Sequence, residues 1–177
     1  MAPKIKAELT IDDASAAIAW VFNNIDQYNG DRKNIFVSGH SAGGYLTLMA
    51  ALNKENLKDY NIDANDLAGI IPFSGHTITH FAIREQQGIP GTQAVVDKWA
   101  PLFYVRKDAP PILLITGDRE KEMLGRYEEN AYFYRMMKII GHERIDLYEM
   151  DGYGHNMVYP ALPLLLQFVK ETAENGQ

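Results

Sequence analysis

NIFVSGHSAGGYLTLMAA, residues 34–51, is the most informative stretch of the chain. Ile35-Phe36-Val37 is a short β-rich run with no polar alternation, the pattern of a strand buried on both faces. Tyr45 to Leu52 is apolar nearly all round, which predicts a buried helix. Between them lies Gly39-His40-Ser41-Ala42-Gly43. A serine hydroxyl is a poor nucleophile at neutral pH and needs an adjacent base. It must also stand clear of the backbone so that a carbonyl carbon can reach it. A sharp strand-to-helix turn exposes it in this way, at the cost of strain, and glycines two residues before and two after make room. The N-terminus of the next helix adds a positive field, and the Ala42 N–H is aimed where an oxyanion would develop. The stretch therefore reads as a nucleophile elbow with Ser41 at its tip.

Working outward, Ile11, Ala14, Ala17, Ile18, Val21, Phe22 and Ile25 recur at helical spacing, which predicts a helix over 11–27. Thr10-Ile11-Asp12-Asp13 reads as a capping-box variant at its start. Leu67–Phe73 and Pro111–Thr116 are two further buried strands. Ile145–Met150 alternates, as an edge strand does. Helices are expected over 122–140, with Gly141 at the C-cap, and over 162–174. The segment from about 76 to 110 is weakly periodic and rich in Gly and Pro. It reads as an excursion with short helices, one of them around 92–99. Strand and helix alternate throughout, so the fold class is α/β: one domain over 1–177, with a mostly parallel sheet of about four strands flanked by helices. Ligands of such sheets bind beyond the carboxyl ends of the strands. Ser41, the Gly117–Glu120 turn and the Gly152–Asn156 loop all follow strands and are expected on that rim.

Five histidines compete for the role of base. His155, in the glycine-rich Asp151-Gly152-Tyr153-Gly154-His155-Asn156 loop, is the one such a loop brings over the sheet edge. His40 is expected to point away from the serine and pack behind it. His76 and His80 read as surface or capping residues, and His142 as solvent-exposed. An acid is needed to fix the imidazole tautomer and stabilise the imidazolium. Gly117-Asp118-Arg119-Glu120 offers two, Asp118 and Glu120. Tyr45, Phe81 and Trp99 are candidates for an apolar pocket, although aromatics at such spacings more often belong to a core.

The chain has 177 residues, with 46% hydrophobic, 23% charged and a formal net charge of −6. That balance argues against nucleic-acid or anionic-membrane partners. With no cysteine there is no disulfide, thiol nucleophile or thiolate metal site, and the compartment is not fixed. No stretch approaches the roughly 20 apolar residues needed to span a bilayer. MAPKIKAELT has no apolar segment of the kind a signal peptide carries.

"DRKNIFVSGHSAGGYLTLMAAL", "APLFYVRKDAPPILLITGDRE" and "MDGYGHNM" together resemble the α/β-hydrolase superfamily. The nearest branch is the esterase/lipase group related to hormone-sensitive lipase and to carbohydrate-acetyl and feruloyl esterases. The resemblance implies a Ser-acid-His serine hydrolase of carboxylic esters acting on a small-molecule ester with no metal or organic cofactor. Its register places the acid three residues after the glycine that ends the strand, at Glu120, with Asp118 as the rival. It also implies an eight-stranded sheet of about 200–250 residues or more. The matching pieces begin only at the helix before the elbow strand. The chain is thus expected to supply the C-terminal portion of that fold, without the His-Gly-Gly-type loop that gives the other oxyanion donors. On that expectation it is weak or inactive alone, and the open edge of the Ile35–Ser38 strand is free to pair in a homodimer. The competing expectation is a folded remnant whose triad is idle.

Overall fold

The computed structural model describes residues 6–123 and 125–175. Its four strands, β1 (Phe36–His40), β2 (Gly69–Phe73), β3 (Ile112–Gly117) and β4 (Ile145–Met150), form one sheet in the order β1-β2-β3-β4. Every pairing is parallel. The helices are α1 (Ala7–Asn24), α2 (Ala42–Leu52), α3 (Lys54–Lys58), α4 (Phe81–Gln86), α5 (Arg126–Ile139) and α6 (Val158–Asn175). Among the described residues no helix is long and apolar enough to cross a membrane.

The apolar runs of β2 and β3 are continuous because both of their faces are covered. Ile70, Ile112, Leu114 and Ile145 point to one side, where Leu48, Ala51 and Leu52 of α2, Phe22 of α1 and Phe133 and Met137 of α5 meet them. Ile71, Phe73, Leu113 and Ile115 point to the other, against Ala161, Leu165 and Phe168 of α6. The two-residue period of a strand thus divides each run between two cores. Each fully buried aliphatic or aromatic side chain contributes roughly 1.5–3 kcal/mol by leaving water. β4 alternates as expected, with Ile145 buried and Tyr148 47% exposed at the sheet's edge. β1 forms the opposite edge and pairs only with β2 among the described residues.

Four features of the helices differ from the sequence reading, the first being that α5 starts at Arg126 and not at 122, with Gly125 at φ 68° as its N-cap. α1 starts at Ala7, not at a Thr10 cap: Lys6 is its N-cap, and the Thr10 hydroxyl lies inside the helix, donating to the Ala7 carbonyl at 2.8 Å. No helix forms over 92–99. That part of the excursion is irregular, and Arg84, 4% exposed, ties its start at Gln93 to the turns before it. Its guanidinium donates to Thr79, Gly91 and Gln93 oxygens at 3.0, 2.8 and 2.6 Å. Finally, α6 begins at Val158, before Leu162. Pro160 is harmless in the first turn, where its missing N–H has no helical acceptor; Pro163 removes one bond within the helix.

Candidate active site

The three loops converge at the carboxyl end of the sheet. β1 runs into Ser41, whose backbone has φ 57° and ψ −114°, and α2 starts at the next residue. A non-glycine residue at positive φ costs of order 1–3 kcal/mol and persists only where its surroundings hold it. Here the Ser41 N–H donates to the Phe73 carbonyl of β2 at 2.8 Å, and its carbonyl accepts from Tyr45 N–H in α2. Gly39 is sterically required: a Cβ there would stand 2.5 Å from the Gly43 carbonyl. Gly43, the other glycine of the motif, is not, since a Cβ there would meet nothing within 4 Å. The second close approach belongs instead to Gly44, whose Cβ would stand 2.9 Å from Gly75 Cα after β2. Ala42 is the first residue of α2, so its N–H has no acceptor within the helix.

His155 faces Ser41, with Nε2 2.9 Å from the serine Oγ. Its Nδ1 lies 2.6 Å from Oε1 of Glu122. A carboxylate only accepts, so the ring proton sits on Nδ1 and Nε2 is left to accept from the Ser41 hydroxyl. Glu122 is 1% exposed and His155 22% exposed along their side chains. Oε1 of Glu122 also accepts from Met123 N–H at 2.8 Å, and Oε2 from Gly117 N–H at 3.1 Å and from the Ser74 hydroxyl. Burial alone would push this carboxyl up. The hydrogen bonds from Ser74, Met123, His155 and Gly117 outweigh it and hold the group below the usual range, so it is ionised.

The carboxylate at His155 is therefore neither of the two the sequence pointed to. Glu120 is exposed at the tip of the turn and makes no side-chain contact with His155. Asp118 faces backbone: Oδ1 accepts from Glu120 N–H and Oδ2 from Gly152 N–H, each at 2.9 Å. Those backbone bonds, Gly152's foremost, hold its carboxyl below the ordinary value. The Asp118 N–H in turn donates to Tyr153 O at 2.7 Å. Asp118 thus staples the loop after β3 to the loop that carries His155. The two loops touch backbone to backbone, since a Cβ on Gly117 would stand 2.6 Å from the Gly154 oxygen.

The other histidines divide differently from the expectation. His40 turns away from the serine as anticipated, and its Nε2 donates to the His155 carbonyl at 2.8 Å. His80 caps α4, with Nδ1 accepting from Ala82 N–H. His142 is 3% exposed, not solvated: its Nδ1 donates to Lys107 O at 3.0 Å, which packs the turn after α5 against the segment before β3. His76 is 5% exposed and sits inside an ion pair. Nδ1 donates to Glu129 Oε1 at 2.8 Å, and Nε2 accepts from Arg126 Nη2 at 2.7 Å. Tyr45 and Trp99 join the core cluster with Ile11, Met49 and Ile83, while Phe81, 44% exposed, stacks on His80 at 4.5 Å.

Burial lowers both His76 and His80, the latter to about 4; the Glu129 hydrogen bond opposes the shift at His76, and neighbouring His76 and Arg126 reinforce it at His80. Their folded values lie below the unfolded value near 6.5, so the unfolded chain binds more protons in that window. Stability is accordingly full above about pH 6.5 and is lost as pH falls toward 4. Urea unfolding should show a loss on the order of 1–2 kcal/mol from pH 7 to pH 5. His80→Asn keeps a capping acceptor and should shrink that loss. An equal loss in the variant would assign it elsewhere.

Known proteins share sequence and fold with this chain. Esterase LipC of Mycobacterium tuberculosis is 26% identical over 179 residues, which is 88% of this chain and 42% of that protein. Esterase LipQ of the same organism is 30% identical over 129 residues, 62% of this chain and 30% of that protein. The chain thus spans less than half the length of these curated relatives. Among solved structures, the apo form of Thermogutta terrifontis esterase 2 superposes with a TM-score of 0.72 at 23% identity, covering 91% of this chain and 64% of that one. That likeness carries the fold, and the four parallel strands with their helices are part of an α/β-hydrolase sheet. The BD-FAE family model matches residues 1–124, from α1 through the elbow to the loop that holds Glu122, and the chain belongs to that family.

Proposed function

We propose that this chain carries the nucleophile, base and acid of a serine hydrolase that cleaves carboxylic esters. The observation that supports this most directly is the 2.9 Å approach of His155 Nε2 to Ser41 Oγ, with the serine held at φ 57° on its elbow. Ser41 Oγ attacks the ester carbonyl while His155 takes its proton at Nε2. The carbonyl oxygen becomes an oxyanion beside the Ala42 N–H. The tetrahedral intermediate collapses, the C–O bond to the alcohol breaks, and His155 returns the proton to the departing oxygen. Water, deprotonated by the same imidazole, then attacks the acyl-serine and frees the acid. Glu122 accepts from Nδ1 throughout and stabilises the imidazolium formed in each half. The esterase names of LipC and LipQ agree with this chemistry.

A fluorophosphonate probe tests the proposal, because it phosphonylates only a serine whose proton has a base to go to. The folded chain should gain one adduct, mapped by mass spectrometry to the peptide bearing Ser41, and Ser41→Ala should gain none. A folded chain that stays unlabelled, or is labelled equally in the variant, would overturn it.

A further inference from the structure

Behind Glu122 lies a second layer of polar groups that the chemistry above does not use. Ser74 follows β2 directly, is 0% exposed and has φ 45°. Its N–H continues the sheet ladder, donating to Ile115 O at 2.8 Å. Its hydroxyl donates to Glu122 Oε2, and its carbonyl accepts from Nη1 of Arg126. Arg126 is itself fixed by Glu129, at 2.9 Å from Nε to Oε1.

The backbone conformation of Ser74 is one that glycine adopts freely and serine does not. A serine there offers one thing a glycine lacks, a hydroxyl, and that hydroxyl is spent on Glu122. The other donors to this carboxylate differ in kind. Met123 adjoins Glu122 and would travel with it, whereas Gly117 is the last residue of β3 and donates at 3.1 Å, at the long end of an N–H···O bond. His155 is the group being oriented. Ser74, 48 residues away in sequence, is the remaining donor and comes from the end of a different strand, β2. A glutamate has three rotatable side-chain bonds, so with the long Gly117 bond as its other anchor in the sheet the carboxylate has room to turn about its own axis.

We propose that Ser74 is a positioning residue: its hydroxyl, locked in place through its carbonyl by Arg126, holds Oε2 of Glu122 so that Oε1 faces His155 Nδ1. The assignment rests on the esterase reading for its consequence in catalysis, but not for its geometry. A hydrogen bond to a charged group corresponds to a factor of roughly ten or more.

Ser74→Gly is the informative substitution. It removes the hydroxyl while suiting the positive φ, so the backbone is kept and any loss of function is not a loss of fold. By proton NMR, the His155 Nδ1 proton should exchange with solvent about tenfold faster than in the unsubstituted chain, with circular dichroism unchanged. With p-nitrophenyl acetate, kcat should fall about tenfold and KM stay within about twofold. Ser74→Ala provides the same two readings should the glycine variant unfold. Exchange of the Nδ1 proton at the unsubstituted rate in a folded variant would overturn the assignment. Failure of the esterase reading looks different: Ser41 takes no fluorophosphonate in the unsubstituted chain, while the Nδ1 proton still responds to Ser74.

Discussion

Glu122→Gln should lower kcat for p-nitrophenyl acetate by about 10⁴-fold, the scale seen when a triad acid is turned into its amide. The reason is the direction of each hydrogen bond. Two donors, the Ser74 hydroxyl and Gly117 N–H, converge on Oε2, so the amide oxygen of a glutamine would be held there. Its NH2 then occupies the place of Oε1 and faces His155 Nδ1, today 2.6 Å away. Nδ1 must become an acceptor, and the ring proton moves to Nε2. That nitrogen then donates toward Ser41 and has no lone pair for its proton. Met123 N–H, 2.8 Å from the same atom, would meet a second donor and adds a further penalty. Glu120→Gln changes an exposed side chain and should leave kcat within about twofold. Asp118→Asn weakens the staple between the two loops and should cost far less than Glu122→Gln. If instead Glu120→Gln carried the large loss, the acid would be the residue that spacing first suggested.

Why spacing suggested a carboxylate other than the one beside His155 is a matter of chain path. A register counted from Gly117 assumes the acid lies at a fixed step after the strand, and that step lands on Glu120. The loop here descends one further turn, through Asp118 and its bonds to Glu120 and Gly152, before a carboxylate returns over the sheet. Glu122 was also concealed by the apparent reach of the following helix, which reads as starting at 122 but starts at Arg126. One signal was present: Gly125, at φ 68°, breaks the helix at its N-terminus and would have released Glu122 as a third candidate. β2, β3 and the elbow were legible for the opposite reason, whereas β1, read as buried on both faces, is only half-buried with Ser38 exposed because it lies at the sheet's edge. An unbroken apolar run needs two covered faces, and a serine flanked by glycines between strand and helix has few other structural explanations. Gly43 shows where that logic overreaches, since the motif's second glycine has open space and the crowded one is Gly44. Buried charge was the least legible feature. Arg126, Glu129 and His76 sit where a sequence reader expects a solvated helix face and a loop, and only tertiary contact brings them inside.

That buried charge makes Arg126→Met the substitution with the greatest expected effect on stability, a loss of about 3–5 kcal/mol in urea unfolding. The side chains of Arg126 and Glu129 are 2% and 5% exposed. Arg126 is also among the largest fully buried side chains of the protein, so Met preserves much of its volume and isolates the effect of charge. Without the guanidinium, Glu129 keeps His76 Nδ1 and the Thr77 and Ile78 N–H groups as donors, at 2.8, 2.9 and 3.0 Å. Among the described residues it loses the only full positive charge it touches, because His76 is held neutral chiefly by burial. The Ser74 carbonyl and His76 Nε2 also lose the donors they have now. Adding Glu129→Gln to the variant removes the stranded charge while leaving an oxygen for the backbone donors. The double variant should therefore recover part of the loss, since breaking one side of a buried pair costs more than neutralising both. A single variant destabilised by less than about 1 kcal/mol would mean that water reaches Glu129 and that this part of the core is not closed.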